Sequence, residues 1–262
     1  MAGMAVVTGA SSGIGRSYAE RLASNGMDVV VVARRMDPLD ALKRELERGG
    51  IRVRTIVADL ARAEDVQRLV TELATLPVEL LVNNAGVAHY MPFAQLPVER
   101  ARELVDVNAL APVLLTRAAI PGMVARGRGA IINVASLLAF SGAARAPHLP
   151  QRAVYAATKA FLVTFTEILA AELAGTGVKI QVVCPGVVRS EFHSRQGIDM
   201  SQVPRMEPDQ IVMASLSDLE RGVVVSIPAM PDESAKARFD DAASTLLGVA
   251  RRTELPERYR TS

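Results

Sequence analysis

One cysteine, Cys184, is all that 262 residues provide. An internal disulfide and any metal site built from several cysteines are therefore excluded, and a reducing compartment is expected. Neither sign of charge dominates: 30 Lys and Arg stand against 28 Asp and Glu, a net +2. So small a field gives no ground for a nucleic-acid partner. No run approaches 18 consecutive apolar residues, so no membrane span is expected. Met1 to Gly13 lacks a basic segment ahead of its apolar stretch, so no secretory signal is read there. Histidine is scarce too. His89, His148 and His193 fall in predicted loops with no metal-ligand spacing, which makes them surface or pocket-wall residues and leaves no metal site. The 18 glycines are neither frequent nor periodic enough for a collagen-like chain, and a hydrophobic share of 50% is too high for disorder. The expectation is a soluble, cytoplasmic globular protein that buries ~70–75% of the surface its unfolded chain would expose.

What is present is an alternation. Predicted β-rich runs at Met4–Thr8, Asp28–Ala33, Val53–Val57, Glu79–Asn83, Ala130–Ala135, Lys179–Cys184 and Gly222–Ile227 are separated by longer helical patterns. Most are uniformly apolar, as in Val29-Val30-Val31-Val32, the pattern of strands buried on both faces of a parallel sheet. Helical segments of crossover length between them predict a Rossmann-type, doubly wound α/β sheet of seven parallel strands with helices on both faces. No repeat or linker divides the chain, so one domain over residues 1–262 is expected. Two stretches break the pattern. Gly142–Arg152 is an insertion containing Pro and Arg, and residues 186–208 form a connection long enough to be a lid. A C-terminal amphipathic helix is predicted at about 233–250 from Ala235, Phe239, Ala242, Leu246 and Val249. The segments Ala109–Ala125 and Ala153–Leu173 carry so few charges that neither side suits water. One side should cover the sheet and the other should meet a second copy, as a homodimer or homotetramer.

Thr8-Gly9-Ala10-Ser11-Ser12-Gly13-Ile14-Gly15 sits where the first predicted strand passes into the first helix. Gly9 can take the sharp turn, Gly13 lets backbone approach a ligand, and Gly15 lets helix and strand pack closely. Free N–H groups at a helix start suit a pyrophosphate, so Gly9, Ser11, Ser12, Gly13, Ile14 and Gly15 are candidate dinucleotide contacts; the bland alternative is a tight turn. At the end of the second strand an acid would bind the adenosine ribose and repel a 2′-phosphate. This chain has Arg34-Arg35 there and no acid until Asp37. Two guanidiniums can clamp a phosphate, so NADP(H) is favoured over NAD(H).

T-G-A-S-S-G-I-G at 8–15, N-N-A-G at 83–86, Asn108, Ser136, Y-A-A-T-K at 155–159 and P-G at 185–186 occur in that order. With them the chain resembles the short-chain dehydrogenase/reductase family over residues 1 to about 230. The resemblance implies hydride transfer between a nicotinamide cofactor and a small-molecule carbonyl or secondary alcohol. It implies a catalytic set of Asn108, Ser136, Tyr155 and Lys159, in which Lys159 also contacts the nicotinamide ribose and Asn108 holds a water linking Lys159 to solvent. By position, Asp59 and Leu60 should meet the adenine, and Asn84, Ala85 and Gly86 should pack on the adenosine side. Pro185, Gly186 and Val188 should line the nicotinamide, Val188 through its backbone, and Ser190 keeps a hydroxyl where the family often has Thr.

The chemistry of these residues agrees with that reading. Tyr155 and Lys159 are i and i+4 on a helix, hence one turn apart on one face. A phenol with pKa ~10 is a poor acid at neutral pH, and a nearby ammonium should pull it down toward the useful range. Ser136 directly follows a strand, at the sheet edge where ligands bind, and can hold the substrate oxygen. It stands 19 positions before Tyr155, wider than the family's common spacing. The insertion can absorb the difference as a loop over the pocket. Ser141 is the other candidate serine, and Ser136 is preferred because it follows the strand. Two other readings stand beside it. A non-catalytic nucleotide-binding sensor or scaffold would be favoured by loss of Tyr155 or Lys159, and both are present. A sugar-nucleotide epimerase usually carries a larger substrate domain. Cys184 is read as a small core residue. The lid mixes Phe192, Met200 and Met206 with Arg195 and Arg205, which leaves the substrate open.

Overall fold

The computed structural model describes residues 3–142, 149 and 151–259. Its strands are β1 (Met4–Thr8), β2 (Asp28–Ala33), β3 (Val53–Val57), β4 (Val78–Asn83), β5 (Gly129–Val134), β6 (Val178–Val183) and β7 (Val225–Ser226). All pair in parallel, in the order β3-β2-β1-β4-β5-β6-β7. The uniform apolarity has a simple cause. Successive strand residues face opposite sides, and both sides are covered. Ala5, Val7, Val29 and Val31 join one core with Tyr18, Leu22, Leu39 and Ile211. Val6, Val30, Val32 and Leu81 join the other with Leu69, Leu73, Leu115 and Met123.

The helices of this unit are α1 (Gly13–Ser24), α2 (Met36–Leu46), α3 (Ala63–Leu73), α4 (Val98–Val105), α5 (Ala111–Ala125), α6 (Ala153–Glu172), α7 (Glu191–Ser194) and α8 (Pro208–Arg221), and the covering residues just named come from α1, α2, α3, α5 and α8. The seventh strand is shorter than its sequence run. Gly222 takes φ +80 as the C-cap of α8, and the Val223 N–H bonds back to the Asp218 carbonyl, which draws the run's first residues into a helix end. A π-helical turn at Asp106–Leu110 joins α4 to α5, so that Val98–Ala125 is one helix of 28 residues. This helix and α6 are long and apolar enough to cross a membrane by length and composition alone. The lack of an uninterrupted apolar run is compatible with this, because a mean hydropathy tolerates a few scattered charges and a core helix meets the same criterion. Both helices bury one face within the sheet unit, through Leu115 and Met123 or Leu162 and Val163, and leave Leu110, Leu114, Phe161 and Ile168 exposed.

The chain divides into two compact units, Met1–Pro228 and Ala229–Ser262. The first holds the sheet. The second contains α9 (Ser234–Leu247), inside the expected C-terminal helix, followed by 3₁₀ turns at Gly248–Arg251 and Glu257–Tyr259. The insertion's proposed loop over the pocket, and His148 within it, fall at 143–148 and 150, outside the described residues.

Candidate active site

The sheet order reverses between β1 and β4, and ligands of such sheets bind beyond the carboxyl ends of the strands at that point. A cleft of about 980 Å³ opens there. Its floor is the glycine turn, and the turn is welded to the segment after β4. Thr8 Oγ accepts the N–H groups of Asn84 and Ala85, both at 3.0 Å, while Asn84 Nδ2 donates to the Thr8 carbonyl at 2.9 Å. Gly9 and Gly13 take φ of +67° and +56°. A Cβ on Gly15 would come within 2.4 Å of the Gly9 carbonyl oxygen, so Gly15 supports the turn from behind while Gly9, Ser11, Ser12, Gly13 and Ile14 line the cleft. Asn84, Ala85 and Gly86 line it from the other side.

At the β2 and β3 ends, Arg34, Arg35, Asp59 and Leu60 form one wall. Asp59 caps its own turn, accepting the Ala61 N–H at 3.1 Å. The two arginines diverge rather than act as a pair. Arg34 Nη1 lies 3.7 Å from Glu103 of α4, whose carboxylate also takes His89 and Arg100. Arg35 Nη2 instead lies 3.4 Å from Ser11 Oγ and 3.3 Å from Glu191.

At the opposite end stand Ser136, Tyr155 and Lys159, all lining the cleft. Ser136 N-caps a 3₁₀ turn at Leu137–Phe140, accepting the Leu138 N–H at 3.2 Å, and its hydroxyl is within hydrogen-bonding reach of the Tyr155 phenol. Ser141 is turned away: it donates to the Leu138 carbonyl at 2.7 Å and accepts from Arg152 at 3.1 Å. Lys159 Nζ donates to the Val134 carbonyl at 2.8 Å and lies 5.8 Å from the centre of the Tyr155 ring. Burial pushes this lysine down to about 8.

Burial also governs Tyr155, and in the direction opposite to the sequence expectation. The phenol is pushed up, first by loss of solvent and then by the neighbouring Tyr90, because an ammonium across the ring does not offset full burial. A phenol held protonated is suited to donate.

Asn108 anchors the segment after β4 through its side chain. It does not line the cleft; fully buried in the π-helical turn, it brackets Val87, accepting that residue's N–H and donating to its carbonyl, both at 2.9 Å. Its remaining donor reaches Thr158 Oγ at 3.3 Å. A Cβ on Gly86 would lie 3.3 Å from Asn108 Oδ1 and 3.5 Å from Lys159 Nζ, so the two side chains border one point of the floor.

The 186–208 connection supplies the roof. Val188 bridges to Met206 through the carbonyl of Val187 and the N–H of Arg189, which leaves Val188's own amide on the opposite side of the segment; Pro185, Gly186 and Val188 line the cleft. Its Ser190 packs so near the turn that a Cβ on Gly13 would come within 2.9 Å of the serine Cβ. Sequence reasoning missed Tyr90, which no motif marks. Its ring meets Tyr155 edge-on at 5.4 Å and stacks with His193 at 6.3 Å, and burial raises its phenol to about 12. With Leu137, Leu138, Phe192, Met200 and Val203 it makes this end of the cleft apolar and partly aromatic. No cluster of metal-ligating side chains occurs among the described residues.

Residues 3–200 match the family model described as short chain dehydrogenase. An uncharacterized oxidoreductase of Myxococcus xanthus is 37% identical over 254 residues, 92% of this chain and 96% of that protein. The human very-long-chain 3-oxoacyl-CoA reductase is 37% identical over 72% of this chain, which spans 60% of the human protein's length. Among solved structures, a Sphingobium yanoikuyae short-chain dehydrogenase in complex with NADPH is 36% identical with a TM-score of 0.92, covering 98% of this chain and all of that one. The bulky-bulky ketone specific alcohol dehydrogenase of Comamonas testosteroni is 31% identical with a TM-score of 0.88, over 99% of both chains. With a doubly wound sheet, a glycine turn at its switch point and a family match across three-quarters of its length, this chain belongs to the short-chain dehydrogenase/reductase family of oxidoreductases.

Proposed function

We propose that this protein is an NADPH-dependent reductase of bulky apolar ketones, or in reverse a dehydrogenase of the matching secondary alcohols. The observation that carries the reading is the place of Tyr155. Its buried phenol, with Ser136 at its hydroxyl, stands between the glycine-turn half of the cleft and the apolar half. The residues present fit a dinucleotide: Gly9 and Gly13 turn the backbone with positive φ along the cleft wall, and Lys159 and Gly86 line the same cleft. When bound, NADPH supplies a hydride. Ser136 orients the ketone oxygen, and Tyr155 delivers its proton to that oxygen as the carbonyl carbon gains the hydride. The C=O double bond becomes C–O, with one new C–H and one new O–H bond. Lys159, charged at neutral pH, then stabilises the phenolate left behind.

NADP preference is supported by Arg34 and Arg35, with no acid at the end of β2, and by the NADPH complex of the Sphingobium relative. Bulky carbonyl substrates are supported by the apolar wall and by the names of the Comamonas and human relatives. The exposed apolar faces of α5 and α6, at Leu110, Leu114, Phe161 and Ile168, support a homodimer or homotetramer formed there, and the single cysteine fits a cytoplasmic protein.

Consumption of NADPH with cyclohexyl phenyl ketone, compared with acetone, tests the proposal. About 100 Å² more apolar surface buried by the larger ketone favours it roughly 50-fold or more in kcat/KM, at ~25 cal/mol per Å². Equal values for the two ketones, or turnover with NADH alone, would overturn it.

A further inference from the structure

One carboxylate ties the roof of the cleft to its floor. Glu191 opens α7, N-capped by Ser190. Its Oε2 takes Nη2 of Arg35 at 3.3 Å and Nη2 of Arg195. Each guanidinium also reaches a hydroxyl of the glycine turn: Arg35 lies 3.4 Å from Ser11 Oγ, and Arg195 lies 3.3 Å from Ser12 Oγ. Two cations thus share one anionic oxygen, and each also meets a hydroxyl at the edge of a turn that begins a helix. Arg195 holds the Glu191 carboxyl below the usual carboxylate range, so the oxygen is charged at neutral pH. The local sum is still positive, two guanidiniums against one carboxylate. Arg34 takes no part, because it leans toward Glu103, which already serves His89 and Arg100.

We propose that this cluster is the subsite for the 2′-phosphate of NADP, formed by Arg35 from the strand end and Arg195 from the roof, with Glu191 holding the arginines together until the phosphate displaces it. The proposal rests on the NADPH reading above and deepens it. A phosphate monoester carries up to two charges and three acceptor oxygens, enough for both guanidiniums and both serine hydroxyls. A carboxylate supplies one charge and repels the incoming phosphate, so the two anions compete for the same donors. Arg195 is then a specificity-determining residue that lies far from Arg35 in sequence. NADH, which lacks the phosphate, leaves Glu191 in place.

Fluorescence titration of the full chain with NADPH and with NADH, at one ionic strength, reads the subsite without any substrate. Exposed charge-assisted contacts support a loss of about tenfold in NADPH affinity for Arg195→Met and for Arg35→Met, with NADH affinity changing by less than about threefold. Arg195→Lys should recover part of the loss, and Glu191→Gln should tighten NADPH binding several-fold. Equal loss of both dinucleotides in Arg195→Met would overturn the proposal. So would retained NADPH selectivity in Arg195→Met beside its loss in Arg34→Met, an outcome that leaves the NADPH reading standing. Equal affinity of the wild-type protein for NADPH and NADH would remove both.

Discussion

Replacing Asn108 by alanine separates an anchoring role from a role in a water chain. In the structure its side chain makes three hydrogen bonds, two to the backbone of Val87 and one to Thr158. The change leaves the Val87 N–H and carbonyl unpaired, and each unpaired buried group costs about 1–3 kcal/mol. Val87 is only half-buried, so water recovers part of that. A net loss of about 2–3 kcal/mol follows, or roughly 4–10 °C in Tm for a chain of this size. Urea denaturation followed by circular dichroism at one fixed protein concentration measures it, the fixed concentration being needed because association adds to apparent stability. Tyr90 follows Val87 by three residues and touches Tyr155, so kcat should fall as well. An unchanged denaturation midpoint with lost activity would refute the anchoring argument and favour the water chain alone.

Other expectations are briefer. Tyr155→Phe should leave NADPH binding and fold intact while kcat falls by about 10²–10⁴, the usual worth of a general acid; near-wild-type kcat on a verified ketone would remove Tyr155 as the donor. Lys159 has a folded pKa of about 8 against 10.5 as an ordinary value. Between those pH values the unfolded chain binds the extra proton, so the penalty for burying the charge is full below pH 8 and is relieved as pH rises toward 10.5. The stability of the wild-type protein relative to Lys159→Met should therefore increase with pH there, by at most about 1.4 kcal/mol per unit; a flat difference across that range contradicts it. Gly13→Ala combines a positive φ with a Cβ that would meet Ser190 at 2.9 Å. It should weaken NADPH binding about tenfold, given ~1–2 kcal/mol for the strained backbone; unchanged affinity would mean the turn and roof adjust freely.

How much was legible in the sequence follows from how local each cause is. Strand runs such as Val29–Val32 were readable because burial on both faces writes itself as unbroken apolarity. The glycine turn was readable because its φ values and close approaches admit almost nothing else at Gly9, Gly13 and Gly15. Tyr155 and Lys159 were readable because four residues make one helical turn. The end of α8 was not: the run from Gly222 looked like a strand, and the Asp218 carbonyl captured it.

The sequence by itself determined the doubly wound order of strands and helices, the dinucleotide turn and the spacing of the tyrosine and lysine, because each depends on residues a few positions apart. The tertiary structure decided the rest. Arg34 and Arg35 are neighbours in the chain, yet which carboxylate each one meets depends on where α4 and α7 lie. Ser136 rather than Ser141 meets Tyr155 because a 3₁₀ turn directs one hydroxyl toward the cleft and the other to a backbone carbonyl. Tyr90 comes to Tyr155 only after 64 intervening positions are folded back, and the direction of the Tyr155 pKa is set by burial from several elements at once. Burial and the meeting of distant charges are sums over the whole fold, and no short stretch of sequence contains them.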